Sequence, residues 1–269
     1  MGRIENAFNS LNREGKKGLI PFITAGDPDL QTTEELLFVL SQSGATLIEL
    51  GVPFSDPMAD GPVIQRASER ALKRGFGLQQ VLDTAARARK RIETPIILFS
   101  YYNPLLQFGL KRIAKAAKDA GIDGVLVTDL TPEEAGEFEA ELRAQGLDMI
   151  FLIAPTSTDE RLKLVARHAS GFIYAVSRAG VTGARSAVSA EAEKLVTRMR
   201  QFSSLPIAVG FGISNAQQVA DVQRYADAVV VGSALVAEME MMSGAPDLVK
   251  HIGAFLTGLQ DSQVSKDGA

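Results

Sequence analysis

The stretch Thr46-Leu47-Ile48-Glu49-Leu50-Gly51-Val52-Pro53-Phe54-Ser55-Asp56-Pro57-Met58-Ala59-Asp60-Gly61-Pro62-Val63-Ile64-Gln65 sets the pattern for the whole chain. Its first five residues have strand composition. The chain then breaks at Gly51 and runs through Pro53, Asp56, Pro57, Asp60 and Gly61 to Pro62, where a helical region opens. Strand side chains alternate between two faces, so Ile48 and Leu50 share one and Leu47 and Glu49 the other. A carboxylate near the end of an apolar strand needs a reason. Two stay open: Glu49 is a rim charge or pairs with a neighbouring arginine, or it is an acid or base at a site mouth with Asp60 as second carboxylate.

The same unit of strand, break and helix recurs in both directions. Strands are expected at Leu19–Thr24, Thr46–Leu50, Thr94–Ser100, Asp123–Thr128, Asp148–Ile153, Gly171–Val176, Leu205–Val209 and Asp227–Val231. Helices are expected between them. One runs from Leu30 to Ser43, and another from Pro62 to about Lys90, interrupted at Gly75-Phe76-Gly77. A third is striped by Leu106, Leu110, Ile113 and Ala117, and a fourth is opened by Pro132. Ser157 or Thr158 caps the helix of Leu162 and Val165. Leu195, Val196 and Met199 stripe the next, Val219 and Val222 a short one, and Leu248, Ile252, Phe255, Leu256 and Leu259 the last. Arg3–Asn12 is an extra helix in front, and Gln260–Ala269 a frayed polar tail.

Alternating strands and helices imply a parallel sheet. Eight units in 269 residues fit one (β/α)8 TIM barrel domain of class α/β over residues 1–269, with an extra N-terminal helix. A doubly wound open sheet is the competing architecture.

Composition narrows the function. The net charge of −4 gives no reason to expect nucleic acid or an anionic membrane as partner. With no cysteine there is no disulfide, thiolate metal site or cysteine nucleophile, which fits a reducing cytoplasm. No apolar run reaches the roughly 20 residues of a membrane span, and MGRIENAFNS has no signal-peptide core. The two histidines, His168 and His251, fall on outer helices, so no metal site is expected. No lysine stands at a strand's C-terminal end, where barrels carry their chemistry, so a Schiff base lacks its nucleophile.

Three glycine-rich stretches follow the sixth, seventh and eighth strands: Ser177–Gly183, Gly210–Ser214 and Gly232-Ser233. Glycine lets backbone N–H groups approach an anion, and a helix N-terminus adds a favourable dipole. A phosphate held by Gly183, Gly212, Gly232 and Ser233 is expected, against the alternative of ordinary turns. The loop from Ser177 to about Val188 exceeds the usual roughly two to six residues and reads as a lid or as a surface loop. Phe22, Phe99, Tyr174 and Phe211 stand near strand ends, where they line a pocket for a flat ring or pack in the core. Asp129 is a third carboxylate or a turn residue. Pro53, Phe54, Pro57, Met58, Tyr101, Tyr102, Pro104, Leu105 and Phe108 form an apolar set in two neighbouring loops, suggesting a partner surface.

Pro21–Asp29 (PFITAGDPD), Ile48–Ala67, Tyr101–Gly109 (YYNPLLQFG), Ser177–Arg185 (SRAGVTGAR), Val209–Ser214 (VGFGIS) and Val229–Ala234 (VVVGSA) carry a specific resemblance. From end to end the chain resembles the tryptophan synthase alpha subunit family. One departure is Thr128-Asp129-Leu130-Thr131-Pro132, where the family more often reads Pro-Asp-Leu-Pro. The resemblance implies retro-aldol cleavage of indole-3-glycerol phosphate to indole and glyceraldehyde 3-phosphate. It implies Glu49 as general acid/base and Asp60 as the carboxylate facing the indole nitrogen. It implies Gly183, Gly212, Gly232 and Ser233 at the phosphate, Phe22, Tyr174 and Phe211 near the substrate, and Thr182 near Asp60. It also implies a beta subunit carrying pyridoxal phosphate in an alpha2-beta2 complex, no cofactor on this chain, and slow turnover until loops 53–60 and 177–188 close with the partner. A free-standing lyase and a non-catalytic activator of the beta subunit are the other readings.

Overall fold

The computed structural model describes residues 2–176, 185–210 and 212–260. Its strands are β1 (Gly18–Thr24), β2 (Ile48–Gly51), β3 (Ile96–Ser100), β4 (Gly124–Val127), β5 (Asp148–Ile153), β6 (Ile173–Val176), β7 (Ile207–Gly210) and β8 (Ala228–Val231). All run parallel and close into a barrel in sequence order. β1 pairs with β8 as well as β2, Pro21 lying opposite Val231 and Phe22 opposite Glu49. That closure excludes the open sheet.

The helices are α1 (Arg3–Glu14), α2 (Leu30–Gln42), α3 (Pro62–Lys73), α4 (Leu78–Ala88), α5 (Tyr102–Phe108), α6 (Leu110–Asp119), α7 (Gly136–Ala144), α8 (Asp159–His168), α9 (Arg185–Met199), α10 (Ala216–Gln223), α11 (Ser233–Met241) and α12 (Leu248–Gln260). Alternation along the strands makes two cores. Outward residues such as Ile23, Ile48, Leu50, Leu98, Val125 and Val229 pack under the helices. Inward residues Ile20, Leu47, Ile97, Leu126, Ile150, Phe172, Ala208 and Ala228 fill the barrel. α1 plugs the lower end with Ile4 and Phe8, the Phe8 ring lying 6.0 Å from that of Phe172. At the strand starts, the Asp123 and Asp227 carboxylates accept from the backbone N–H groups of Ile96 and Ile207, each at 2.9 Å. That end is scaffold.

The expected elements differ from the structure in four places. The helix expected through Leu106 and Leu110 is two helices, because Gly109 takes φ 94° and breaks it. Leu105 is therefore buried and Leu106 is 48% exposed. Pro132 opens a turn, not a helix: Glu134 N–H donates to Thr131 O at 3.1 Å, with proline at the second turn position, and α7 starts at Gly136. The loop after β6 ends by residue 184, because α9 begins at Arg185. α11 is a helix of its own between β8 and the last helix. Thr158, of the two candidates, caps α8 by accepting from Arg161 N. Of the expected polar tail, residues 261–269 lie outside the described residues.

Candidate active site

One pleat above the inner core, the inward residues stop filling the barrel and line a cavity of about 280 Å³. They are Phe22, Glu49, Phe99, Thr128, Leu152, Tyr174 and Val230, each two residues beyond an inner-core position on its own strand or strand end. The rim comes from the following loops and helices: Ala59, Asp60, Gly61 and Ile64 on one side, Gly212, Gly232 and Ser233 on the other. The Phe22 and Phe99 rings meet edge to face at 5.1 Å. Two glycines give the aromatic rings their places. A Cβ on Gly51 would lie 2.6 Å from Phe22 Cζ, and one on Gly210 would lie 2.8 Å from Tyr174 Cζ.

Glu49 is 1% exposed, and its Oε1 has no hydrogen-bond partner among the described residues. Burial raises its pKa from 4.5 to about 8. Burial also raises that of Asp60 to about 6, against the opposing effect of a hydrogen bond from the Tyr101 side chain. Burial, with the Glu49 charge adding to it, pushes the Tyr174 hydroxyl well above its usual 10. At neutral pH the cavity thus presents a proton-bearing Glu49 and an ionised Asp60. The Asp60 loop is tied down on several sides: Asp60 N–H donates to Pro57 O at 3.0 Å, and Gln65 Nε2 donates to Asp60 O at 2.9 Å.

At the other wall, Gly212 takes φ 75°, a conformation side chains disfavour. Gly232 precedes α11 directly, so Ser233 is its first residue. The free N–H groups of that first turn and the helix dipole favour an anion at this wall. No Lys, Arg or His is among the cavity's described lining residues.

The structure brings together Phe22, Glu49, Asp60, Tyr174, Gly212, Gly232 and Ser233. Thr182, Gly183 and Phe211 lie outside the described residues, as does most of the candidate lid. Asp129 is a turn residue, its Oδ1 accepting from Tyr102 N at 2.7 Å. Thr128, Leu152, Val176, Val230 and Ile64 also line the cavity and were not singled out from sequence. Strand alternation is the signal that could have found the first four, since each shares a face with an inward neighbour. Thr128 stands in the one departure from the family pattern, so that departure does reach the cavity wall.

The apolar loop set is only partly a surface. Pro53, Tyr101 and Leu105 are buried, and Phe54 packs on Tyr101 at 5.2 Å. Met58 is 92% exposed, and Leu106 joins it. His168 and His251 are paired with Glu139 and Glu238, at 2.6 and 2.8 Å. A second cavity of about 590 Å³ lies beside α1 at the scaffold end, where Glu139 pairs with both Arg143 and His168.

A family model described as "Tryptophan synthase alpha chain" matches residues 8–262. The chain belongs to the tryptophan synthase alpha chain family. It is similar to the tryptophan synthase alpha chain of Geobacter sulfurreducens, 51% identical over 262 residues that cover 97% of this chain and 99% of that one. Among solved structures it is similar to the tryptophan synthase subunit alpha of Legionella pneumophila, with a TM-score of 0.90, 41% identity and coverage of 96% and 97% of the two chains. It is also similar to a chain of the tryptophan synthase a2b2 complex of Pyrococcus furiosus, with a TM-score of 0.83, 40% identity and coverage of 90% and 97%. In this family's terms, the cavity at the strand ends is the place to look for the lyase chemistry.

Proposed function

We propose that this chain is the alpha subunit of a tryptophan synthase and cleaves indole-3-glycerol phosphate to indole and glyceraldehyde 3-phosphate. The observation that carries the reading is one apolar cavity holding a fully buried, proton-bearing Glu49 together with Asp60. Glu49 protonates indole C3, which puts a positive charge on the ring and makes it an electron sink. Asp60, ionised, accepts from the indole N–H and offsets that charge. Glu49, now a carboxylate, takes the proton of the hydroxyl on the carbon next to the ring. The carbon–carbon bond then breaks, its electron pair restores the indole, and the hydroxyl carbon becomes the aldehyde. A carboxyl titrating near neutrality is suited to both giving and taking a proton.

Gly183, Gly212, Gly232 and Ser233 are assigned to the phosphate, through backbone N–H groups and the first turn of α11. Phe22, Tyr174 and Phe211 flank the indole ring, and Thr182 approaches Asp60 from the loop after β6. The steps run on this chain's own side chains. Pyridoxal phosphate belongs to the beta subunit, which joins indole to serine in an alpha2-beta2 heterotetramer. Met58, on the loop after β2, and Leu106, on α5, are exposed and are the docking anchors. We take the cytoplasm as the compartment, and residues 1–269 as one barrel domain.

The test is formation of glyceraldehyde 3-phosphate from indole-3-glycerol phosphate by the purified chain, alone and with a cognate beta subunit. Weak activity alone and strong stimulation by the partner is the expected result. High activity alone with no stimulation identifies a free-standing lyase. Stimulation of the beta subunit with no cleavage identifies a non-catalytic activator.

A further inference from the structure

Asp60 sits on a loop, and a loop carboxylate is useful to catalysis only if something fixes it. The loop after β2 contains Pro53, Pro57 and Gly61 but no regular element between β2 and α3. One of its outside contacts is a residue of a different strand end. Tyr101, directly after β3 and 5% exposed, reaches it at two points. Its hydroxyl oxygen accepts from the backbone N–H of Ala59 at 2.9 Å, one residue before Asp60. Its ring packs on that of Phe54 at 5.2 Å, at the start of the same loop. The hydroxyl also lies near enough to the Asp60 carboxyl to lower its pKa, and the Thr128 hydroxyl is a further neighbour. A tyrosine hydroxyl has one proton to give and lone pairs to accept with. Here a lone pair takes the Ala59 N–H, which leaves the proton free to face the Asp60 carboxyl, so ring and hydroxyl clamp the loop from Phe54 to Ala59.

We propose that Tyr101 is a positioning residue for Asp60, holding loop 53–60 in the form that presents the carboxyl to the cavity. The inference rests on the reading of Asp60 given above. It adds a residue outside the cavity lining, between β3 and α5.

Tyr101→Phe separates the roles, because it keeps the ring on Phe54 and removes only the hydroxyl. The donor stabilises the ionised form of Asp60, so its loss raises that pKa further. The other titratable groups lining the cavity, Glu49 and Tyr174, keep their contacts. Cleavage of indole-3-glycerol phosphate is measured against pH for the full chain with its beta subunit. The variant is expected to lose about tenfold or more in kcat. The acid limb of its kcat/KM profile is expected to move up by about one pH unit, with KM for the substrate little changed. Wild-type kcat and an unmoved acid limb, beside an inactive Asp60→Asn, overturn the inference and leave the parent reading standing. A lowered Tm with an unmoved profile does the same, since it assigns Tyr101 to packing. Near-wild-type turnover by Asp60→Asn overturns the parent reading and the inference with it.

Discussion

The hydroxyl end of the Tyr174 ring lies against Gly210 on the next strand, so close that a methyl group there would sit 2.8 Å from Cζ and nearer still to the hydroxyl oxygen. Glycine at 210 is thus what allows an aromatic ring to wall the cavity opposite Phe22. Gly210→Ala must displace that ring into the space assigned to indole. A displacement of this kind, near 1 Å, is expected to lower kcat/KM on the order of 100-fold. Steady-state cleavage at fixed pH checks it, and a wild-type rate contradicts the assignment of Tyr174 to the substrate.

The two carboxyls set a pH window. Asp60 must be ionised and its pKa is about 6, while Glu49 must carry its proton and its pKa is about 8. The profile of kcat/KM, which reports free-enzyme groups, is therefore bell-shaped with limbs near those values. Asp60→Asn, in whatever residual activity remains, keeps the alkaline limb and loses the acid one. A flat wild-type profile between pH 5 and pH 9 contradicts this division of roles.

Glu49 also costs stability. Its folded pKa is about 8 against 4.5 unfolded, so between those values the folded chain holds a proton that the unfolded chain has released. Stability therefore falls as pH rises through that window and is flat above it. At pH 7 the cost is roughly 3 kcal/mol, taking 1.36 kcal/mol per unit. Glu49→Gln, which cannot ionise, is expected to be more stable than wild type, with a gap that widens from pH 5 to pH 8. Urea midpoints at the two pH values measure it, and a constant gap contradicts the burial of an ionisable Glu49.

Much of this was legible in the sequence, and the gaps have physical causes. The strand pattern is strong because the barrel strands are buried on both faces and read as apolar runs. Glu49 stood out because a carboxylate interrupts such a run. The wall of the cavity opposite Asp60's loop was legible through Gly212 and Gly232, which do line it. Leu152, Val176 and Val230 were not singled out, since an apolar strand residue looks the same whether it faces core or cavity, and Thr128 lies in the turn just after its strand. Tyr101 and Leu105 read as surface because their neighbours Tyr102 and Leu106 are chemically alike, and composition does not distinguish which of each pair turns inward.

A half-buried ion-pair cluster around one buried carboxylate ties α3 to the end of β1 and to α11. Arg70 of α3 donates through Nε and Nη2 to Asp27, each at 2.8 Å, and through Nη1 to Glu240 of α11 at 2.7 Å. Asp27 is 2% exposed and follows β1 closely. Arg70→Met leaves that carboxylate buried without its guanidinium, a loss of about 3 kcal/mol. Arg70→Lys recovers little of it, because an ammonium cannot bind bidentately. Lys115→Met, which removes an exposed pair with Asp119, is expected to leave the urea midpoint in place.

The central claim is that Glu49 moves the proton that starts cleavage. The direct measurement is a single turnover of indole-3-glycerol phosphate by wild type and Glu49→Gln, both saturated with beta subunit, with substrate affinity measured in parallel. Glu49→Gln is expected to bind the substrate with near-wild-type affinity and to release no indole on the wild-type time scale. Indole release by Glu49→Gln at a rate close to wild type would contradict a proton-transfer role for Glu49.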